Sequence, residues 1–422
     1  MPRRRAAAER QNLMLAEFDK PDGHVTAPPV PRTEFPAQGQ AEDQVLGEVR
    51  RRLDLNRYAL EKNFAITYSG IPSAISRKVD AMTAGSFFVE WAGESETGTI
   101  SMEREAVGMM ASLLGNPAAG GFITTGGTES NLASMRLARN SGQQAEPEII
   151  IPVTMHFSFR LGAELMKIKL VEIDVDSDTY LPRMEDVEKA ITPRTVGLVC
   201  SAPGGTFGIM DNVAAFAELA WRKGLYLHVD AAFGGFILPF MRDLGYAVPP
   251  FDLSLKGVSS IMTDGHKLGL LPISTGFFLA NDPGLFETIP TESTLIHTTS
   301  STKPGSRAAG AWATFRNLGR EGYRQSTAHV LKLRDLIVDG VTAIPGMTLA
   351  VPRFITVVGF TSKTINLEDV HQHMAEDGWG QGYGILRGKP FIRLSIHPSR
   401  DEAHARGFVK AFEAAVRHAR RV

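Results

Sequence analysis

Apolar residues recur at helical spacing over residues 43–55, where Val45, Leu46, Val49 and Leu53 share one face. Residues 103–114 repeat the pattern with Val107, Met110, Ala111 and Leu114, and Gly115-Asn116-Pro117 ends it. Short apolar runs of β type then follow at 121–125, 148–153, 170–175, 196–200, 225–229, 259–263 and 276–280. Helix-forming stretches at 128–140, 184–191 and 213–223 lie between several of them. Strands alternating with helices predict an α/β domain with a mostly parallel sheet covered on both faces. After Pro304 a long helical stretch runs over 307–344, broken near Gly319. Strand-like pieces at 347–351, 356–361 and 391–396 and a closing helix over 401–420 predict a small C-terminal α+β domain. Residues 379–384 (Trp-Gly-Gln-Gly-Tyr-Gly) read as a flexible loop. Residues 1–40 are rich in Pro, Ala and charge and have no period, the pattern of an arm ordered only against another surface. The chain thus divides into an arm with a short helix (1–55), a large domain (56–306) and a linking helix with the small domain (307–422).

Charge changes the picture by exclusion. Over 422 residues, 45 Lys+Arg balance 46 Asp+Glu, so the chain is no electrostatic match for nucleic acid or an anionic membrane. No apolar run reaches the ~18 residues of a membrane helix, and no apolar segment follows the basic N-terminus as in a secretory signal. Cys200 is the single cysteine, which excludes a disulfide framework and a multi-Cys metal site. These features predict a cytoplasmic protein that holds no metal.

Four segments at predicted strand ends carry chemistry, and the carboxyl edge of an α/β sheet is where ligands bind. Thr124-Thr125-Gly126-Gly127-Thr128-Glu129-Ser130-Asn131 opens a helix whose first N–H groups could face an anion, although Gly-Gly-Thr also serves as a plain capping turn. In His228-Val229-Asp230-Ala231-Ala232 an aspartate ends an apolar strand, where it needs a cation or donors unless it caps the next turn. In Asp264-Gly265-His266-Lys267-Leu268-Gly269 a lysine follows an apolar strand, placed for use as an amine nucleophile. His156, after the strand ending at Val153, is either a stacking ring or an ordinary loop histidine. Anion cradle, buried carboxylate, amine and flat ring are together the parts that hold pyridoxal 5'-phosphate.

The motifs GGTESN, MHFS, HVDAAFGG and DGHKLG, in this order, resemble the group II pyridoxal-phosphate decarboxylases of fold type I, over residues 116–323. The two most similar branches are the archaeal-type tyrosine/aspartate decarboxylases and the sphingosine-1-phosphate lyases. The resemblance implies that Lys267 forms the internal aldimine, Asp230 pairs with the pyridine nitrogen and His156 stacks on the ring with Ala232 behind it. It implies that Gly127, Thr128 and His266 bind the phosphate. It also implies a homodimer with shared active sites, into which residues 298–306 of the neighbour reach.

Which bond breaks depends on the pocket. The arm (30–55) and Ser201-Ala202-Pro203 resemble the sphingosine-1-phosphate lyases. Those lyases carry a second lysine after the first, however, and here Ile273 stands in its place. A phosphorylated substrate calls for that cation, so α-decarboxylation of an L-amino acid is the expected reaction. Retro-aldol cleavage of a phosphorylated amino alcohol is the alternative, and a non-catalytic cofactor-binding protein is a third. Three departures bear on substrate: Gly204-Gly205 replaces a Thr pair, Lys303-Pro304-Gly305 replaces Arg-Pro-Gly, and residues 291–306 hold no tyrosine. His297 stands in that loop as a substitute proton donor or a solvated residue, and Lys303 as an altered substrate contact. Arg393, inside an apolar strand, either binds a substrate carboxylate or points to an outer face.

Overall fold

Strand β5 (Tyr226–Asp230) and strand β6 (Ser260–Asp264) are buried along their whole length at the centre of a seven-stranded sheet. The computed structural model describes residues 35–64, 70–83, 98–204, 207–289, 303–386 and 388–420. The other strands are β1 (Gly120–Thr124), β2 (Glu148–Pro152), β3 (Lys169–Ile173), β4 (Thr195–Ser201) and β7 (Gly276–Ala280), and the order is β1-β7-β6-β5-β4-β2-β3. Strands β3, β2, β4, β5 and β6 run parallel, while β7 is antiparallel to β1 and β6. The predicted mostly parallel sheet is therefore present, with one reversed strand.

Register brings the chemistry to one edge. Ser201 pairs with Asp230 and Asp230 with Met262, while Asp264 and Thr124 both lie opposite Gly276. The last residues of β1, β4, β5 and β6 and the first of β7 thus meet at the carboxyl end of the parallel strands. Phe277 and Phe278 of β7 are fully buried against Phe236, Phe315 and Phe122. Each such ring contributes roughly 2 kcal/mol by leaving water, which anchors the edge of the sheet that carries the site.

The stretch Ser306–Thr342 links this sheet to a second one, and Gly319 breaks its helical path with φ 57° and ψ −173°, a backbone state open mainly to glycine. The second sheet is antiparallel, in the order β10-β11-β9-β8, from β8 (Met347–Leu349), β9 (Val357–Ser362), β10 (Gly382–Leu386) and β11 (Lys389–Ser395). The closing helix Glu402–Ala419, capped by the Asp401 side chain, packs Phe408 and Phe412 towards it.

The expected flexible loop at 379–384 needs correction. Residues from Gly382 onward form the edge strand β10, and Trp379 is buried between Phe64 and Phe408. Two glycines weaken its strand signal for a packing reason: a side chain at Gly384 would lie 2.7 Å from the Phe391 ring. The helices Ala74–Thr83, Ser158–Met166 and Leu367–Glu376 were not anticipated from the pattern either. Residues 1–34 of the expected arm, and His297 with its loop, lie outside the described residues.

Candidate active site

Lys267 follows the end of β6 through a tight turn, and its amide donates to the Asp264 carbonyl at 3.2 Å. That turn folds the side chain back over the strand end, where Nζ lies 2.8 Å from Asp264 Oδ2 and 4.5 Å from the centre of the Phe233 ring. Burial would push the Asp264 carboxyl up, but the Lys267 and His266 charges outweigh it and hold the group below its ordinary value. Its other oxygen, Oδ1, is buried and has no hydrogen-bond partner among the described residues.

Asp230 ends the neighbouring strand and is 2 % exposed. Oδ1 accepts the Ala232 amide at 3.1 Å, and the Ala232 carbonyl accepts the Asp264 amide at 3.1 Å, so the two aspartate strands are tied together at this residue. Oδ2 accepts from the Asn131 amide group at 3.2 Å. Asn131 Nδ2 also lies 3.0 Å from Ser158 Oγ, and Ser158 Oγ lies 2.9 Å from His156 Nδ1. Since the Ser158 amide also donates to Nδ1, that nitrogen is an acceptor and the neutral ring carries its proton on Nε2. Burial keeps His156 below its usual range, with Asp230 and Asp264 opposing and Lys267 and Arg393 adding to the effect.

The chain of bonds continues through the sheet. His228 Nε2 donates to Asn131 Oδ1 at 3.1 Å, while Nδ1 accepts from Ser260 Oγ at 2.8 Å and Tyr226 O–H donates to that same oxygen at 2.7 Å. One asparagine therefore holds the buried Asp230 carboxylate directly and His156 through Ser158.

Beside these groups the helix Gly127–Gly142 begins, and the first amides of a helix have no acceptor within it. Gly126 reaches the turn at φ 134°, and a Cβ on Gly127 would lie 2.8 Å from Met262 Cε and 2.9 Å from Asp264 Oδ2. The turn is thus closed to side chains and open to an anion, with half-buried Thr128 at its lip. The His266 ring packs against Gly126 and its Nδ1 donates to the Thr275 carbonyl at 2.9 Å.

Arg393 is half-buried in β11, opposite Gly382 and Gly359, and its charge acts on His156. Lys303 is buried beside the end of β1: Nζ lies 3.3 Å from Glu103 Oε1 and 3.0 Å from the Ile123 carbonyl, on the wall of a cavity of about 200 Å³ with Thr125, Ser274 and Arg307. Asp264, Asn131, Ser158 and His228 were not singled out from the sequence as site residues. All four stand inside motifs that were, and for Asp264 and Asn131 the residue type at a strand end and in a helix's first turns was an available signal.

These residues fit pyridoxal phosphate. An orphaned buried carboxylate oxygen, a cradle that any Cβ would fill, a lysine and a second buried carboxylate converge at one strand edge, which together with the strand order defines a fold type I enzyme of the pyridoxal-phosphate class. The chain belongs to the pyridoxal-dependent decarboxylase family, whose conserved domain matches residues 28–363. It is a carboxy-lyase that uses pyridoxal phosphate. It is 36% identical to an L-aspartate decarboxylase of Thermococcus kodakarensis over 74% of this chain and 82% of that protein. It is also 36% identical to a sphingosine-1-phosphate lyase of Oryza sativa subsp. japonica, over 66% of this chain and 54% of that one. A solved sphingosine-1-phosphate lyase structure from Burkholderia pseudomallei superposes with a TM-score of 0.84 at 25% identity, covering 92% of this chain and 93% of the other. Among the described residues no helix is long and apolar enough to cross a membrane.

Proposed function

We propose that this chain removes the α-carboxylate of an L-amino acid with an acidic side chain, L-aspartate first among them, and that it works as a homodimer. The observation that carries the reading is the convergence of Lys267, Asp264 and Asp230 on one strand edge, beside a His156 on which the charge of Arg393 acts. Lys267 Nζ would hold the cofactor's aldehyde carbon, Asp230 its ring nitrogen, and the helix start at Gly127 and Thr128, with His266, its phosphate. Once bound, the cofactor supplies an electron sink for the pair released when CO₂ leaves. Asp230 would keep a proton at the ring nitrogen, because a carboxylate beside a pyridine favours the protonated base. His156, its Nδ1 tied to Ser158, would stack on the ring, with Ala232 on the other face. Arg393 is suited to take a substrate carboxylate through its planar fork.

The similarity to an L-aspartate decarboxylase supports the acidic substrate. At Ile273, 56% exposed, the chain offers no cation for a phosphorylated substrate, which counts against the retro-aldol alternative. The test is CO₂ release by the purified, cofactor-loaded protein over L-aspartate, L-glutamate, L-tyrosine and other L-amino acids. Release from an acidic amino acid is the expected result. Aldehyde release from a phosphorylated amino alcohol, with no CO₂ from the panel, would replace this reading by the retro-aldol one. Silence on both, with a stable cofactor band, would mark a binding protein.

A further inference from the structure

The turn that follows β11 sends His397 across to the large domain, where Nε2 lies 3.0 Å from the backbone carbonyl of Lys267. The ring is 3% exposed. Its tautomer is fixed by a backbone donor: the Ser399 amide gives its hydrogen to Nδ1 at 3.0 Å, so in the neutral ring Nε2 carries the proton and donates to Lys267. Ser399 Oγ sits 2.8 Å from the same Nδ1 and accepts the Ile71 amide at 3.1 Å. A third segment closes the contact. Gly70 is pressed so near that a Cβ there would meet three imidazole atoms within 2.3 Å, and the Ser73 amide donates to the Leu270 carbonyl at 2.8 Å. Burial holds the ring's pKa down to about 4, against the pull of the Lys267 carbonyl and with the help of the Arg400 charge. The donor is therefore neutral throughout the physiological range.

We propose that His397 is a positioning residue: it latches the small domain to the backbone of Lys267 and thereby sets the reach from Arg393, on the same β11 segment, to the lysine. Lys267 is then held at two points, its side chain by Asp264 and its carbonyl by His397. The strand that leads into the His397 turn is the one that carries Arg393, and Arg393 already acts electrostatically on His156. A shift of the latch moves the cation relative to the amine without touching the cofactor cradle, which belongs wholly to the large domain. The part of the proposal that concerns substrate rests on the reading of Arg393 as the carboxylate contact.

The test compares wild type, His397→Leu, His397→Gln and Ser399→Ala in the full-length, cofactor-loaded protein. Gln places an N–H donor near the position of Nε2, whereas Leu keeps bulk and removes the bond. Two readouts separate the ideas: KM and kcat for L-aspartate, and the visible circular dichroism of the bound cofactor, which needs no substrate. The expected result is a rise in KM of about tenfold in His397→Leu, the size of one lost buried hydrogen bond, with kcat less affected and a reduced ellipticity per bound cofactor. His397→Gln should recover most of both. Should His397→Leu fail to fold, Ser399→Ala, which loosens the ring without removing it, should show the same changes at smaller size. Wild-type KM and ellipticity in His397→Leu, or in Ser399→Ala if that is the variant that folds, would overturn the latch, as would a Gln variant no better than Leu. If wild type itself releases no CO₂ from acidic amino acids, the reading of Arg393 has failed, and the ellipticity alone decides on the latch.

Discussion

The Lys267 ammonium and the Asp264 carboxylate form a buried pair at 2.8 Å, with only 14% and 3% of their side chains exposed. In a buried pair, removal of one partner leaves the other charge uncompensated, at a cost of about 3–5 kcal/mol. Lys267→Ala should therefore destabilise the cofactor-free protein by about 3 kcal/mol besides abolishing turnover. The double variant Lys267→Ala/Asp264→Asn should recover most of that loss, since it removes the orphaned charge as well. Urea unfolding of the cofactor-free proteins reads this directly. Equal stability of the single and double variants would show that the two groups are not coupled.

Asn131 supplies the amide that Asp230 and Ser158 share, and accepts the proton that His228 donates. Asn131→Leu would take one hydrogen bond from each of three buried partners and leave Asp230 Oδ2 and His228 Nε2 without theirs, a penalty of about 1–3 kcal/mol for each unmet group. The expected outcome is a fall in kcat of at least about tenfold, the equivalent of about 1.4 kcal/mol, together with weaker cofactor retention on dialysis. Asn131→Asp should be as damaging for another reason, because it sets a second carboxylate beside Asp230. Wild-type kcat in either variant would remove Asn131 from the support of the site.

Much of this arrangement was legible in the chain. The β-type runs sit within a residue or two of β1 to β7, and the strands buried on both faces, such as β2, β5, β6 and β7, read as short apolar runs for that reason. Lys267, Asp230, His156 and the Gly126-Gly127 turn were visible as residue types that are costly at strand ends unless used. What stayed hidden was held by distance in the sequence. His228 meets Asn131 across 97 positions and His397 meets Lys267 across 130, and neither bond leaves a local signature. The strand β10 was hidden for the opposite reason: it carries a glycine at 384, where Phe391 needs the space.

Gly204 is a case where a departure from the resembled pattern has a structural counterpart. Its amide donates to Ser201 Oγ, and a Cβ at this position would lie 2.3 Å from Asp230 Oδ1. Gly204→Ala should therefore displace the Asp230 carboxylate while the fold persists. We expect kcat to drop by about tenfold or more with a melting temperature close to wild type. A fully active variant would mean that the loop moves aside without cost and that glycine is not required there.

Beneath Asp230, Asp211 lies buried, its Oδ2 accepting the Ser201 amide at 2.7 Å. Burial pushes its carboxyl from an ordinary 3.8 up to about 7; the Ser201 amide pulls the other way and the Asp230 charge adds to the rise. Between those two values the folded protein holds a proton that the unfolded chain has released. Stability from this group is therefore fully present below pH 4, declines by up to about 1.4 kcal/mol per pH unit above it, and levels off once pH passes 7. The buried histidines act in the opposite sense, because burial lowers His228 to about 3 and His371 and His397 to about 4. Total stability against pH mixes these effects, but the difference between wild type and Asp211→Asn cancels the histidines. Asparagine keeps the acceptor for the Ser201 amide and cannot ionise. The stability of Asp211→Asn relative to wild type should thus rise steadily from pH 4.5 to 7 and stay level from 7 to 8.5 in denaturant titrations. A difference that does not change with pH would mean that Asp211 is ionised in the folded protein throughout that range.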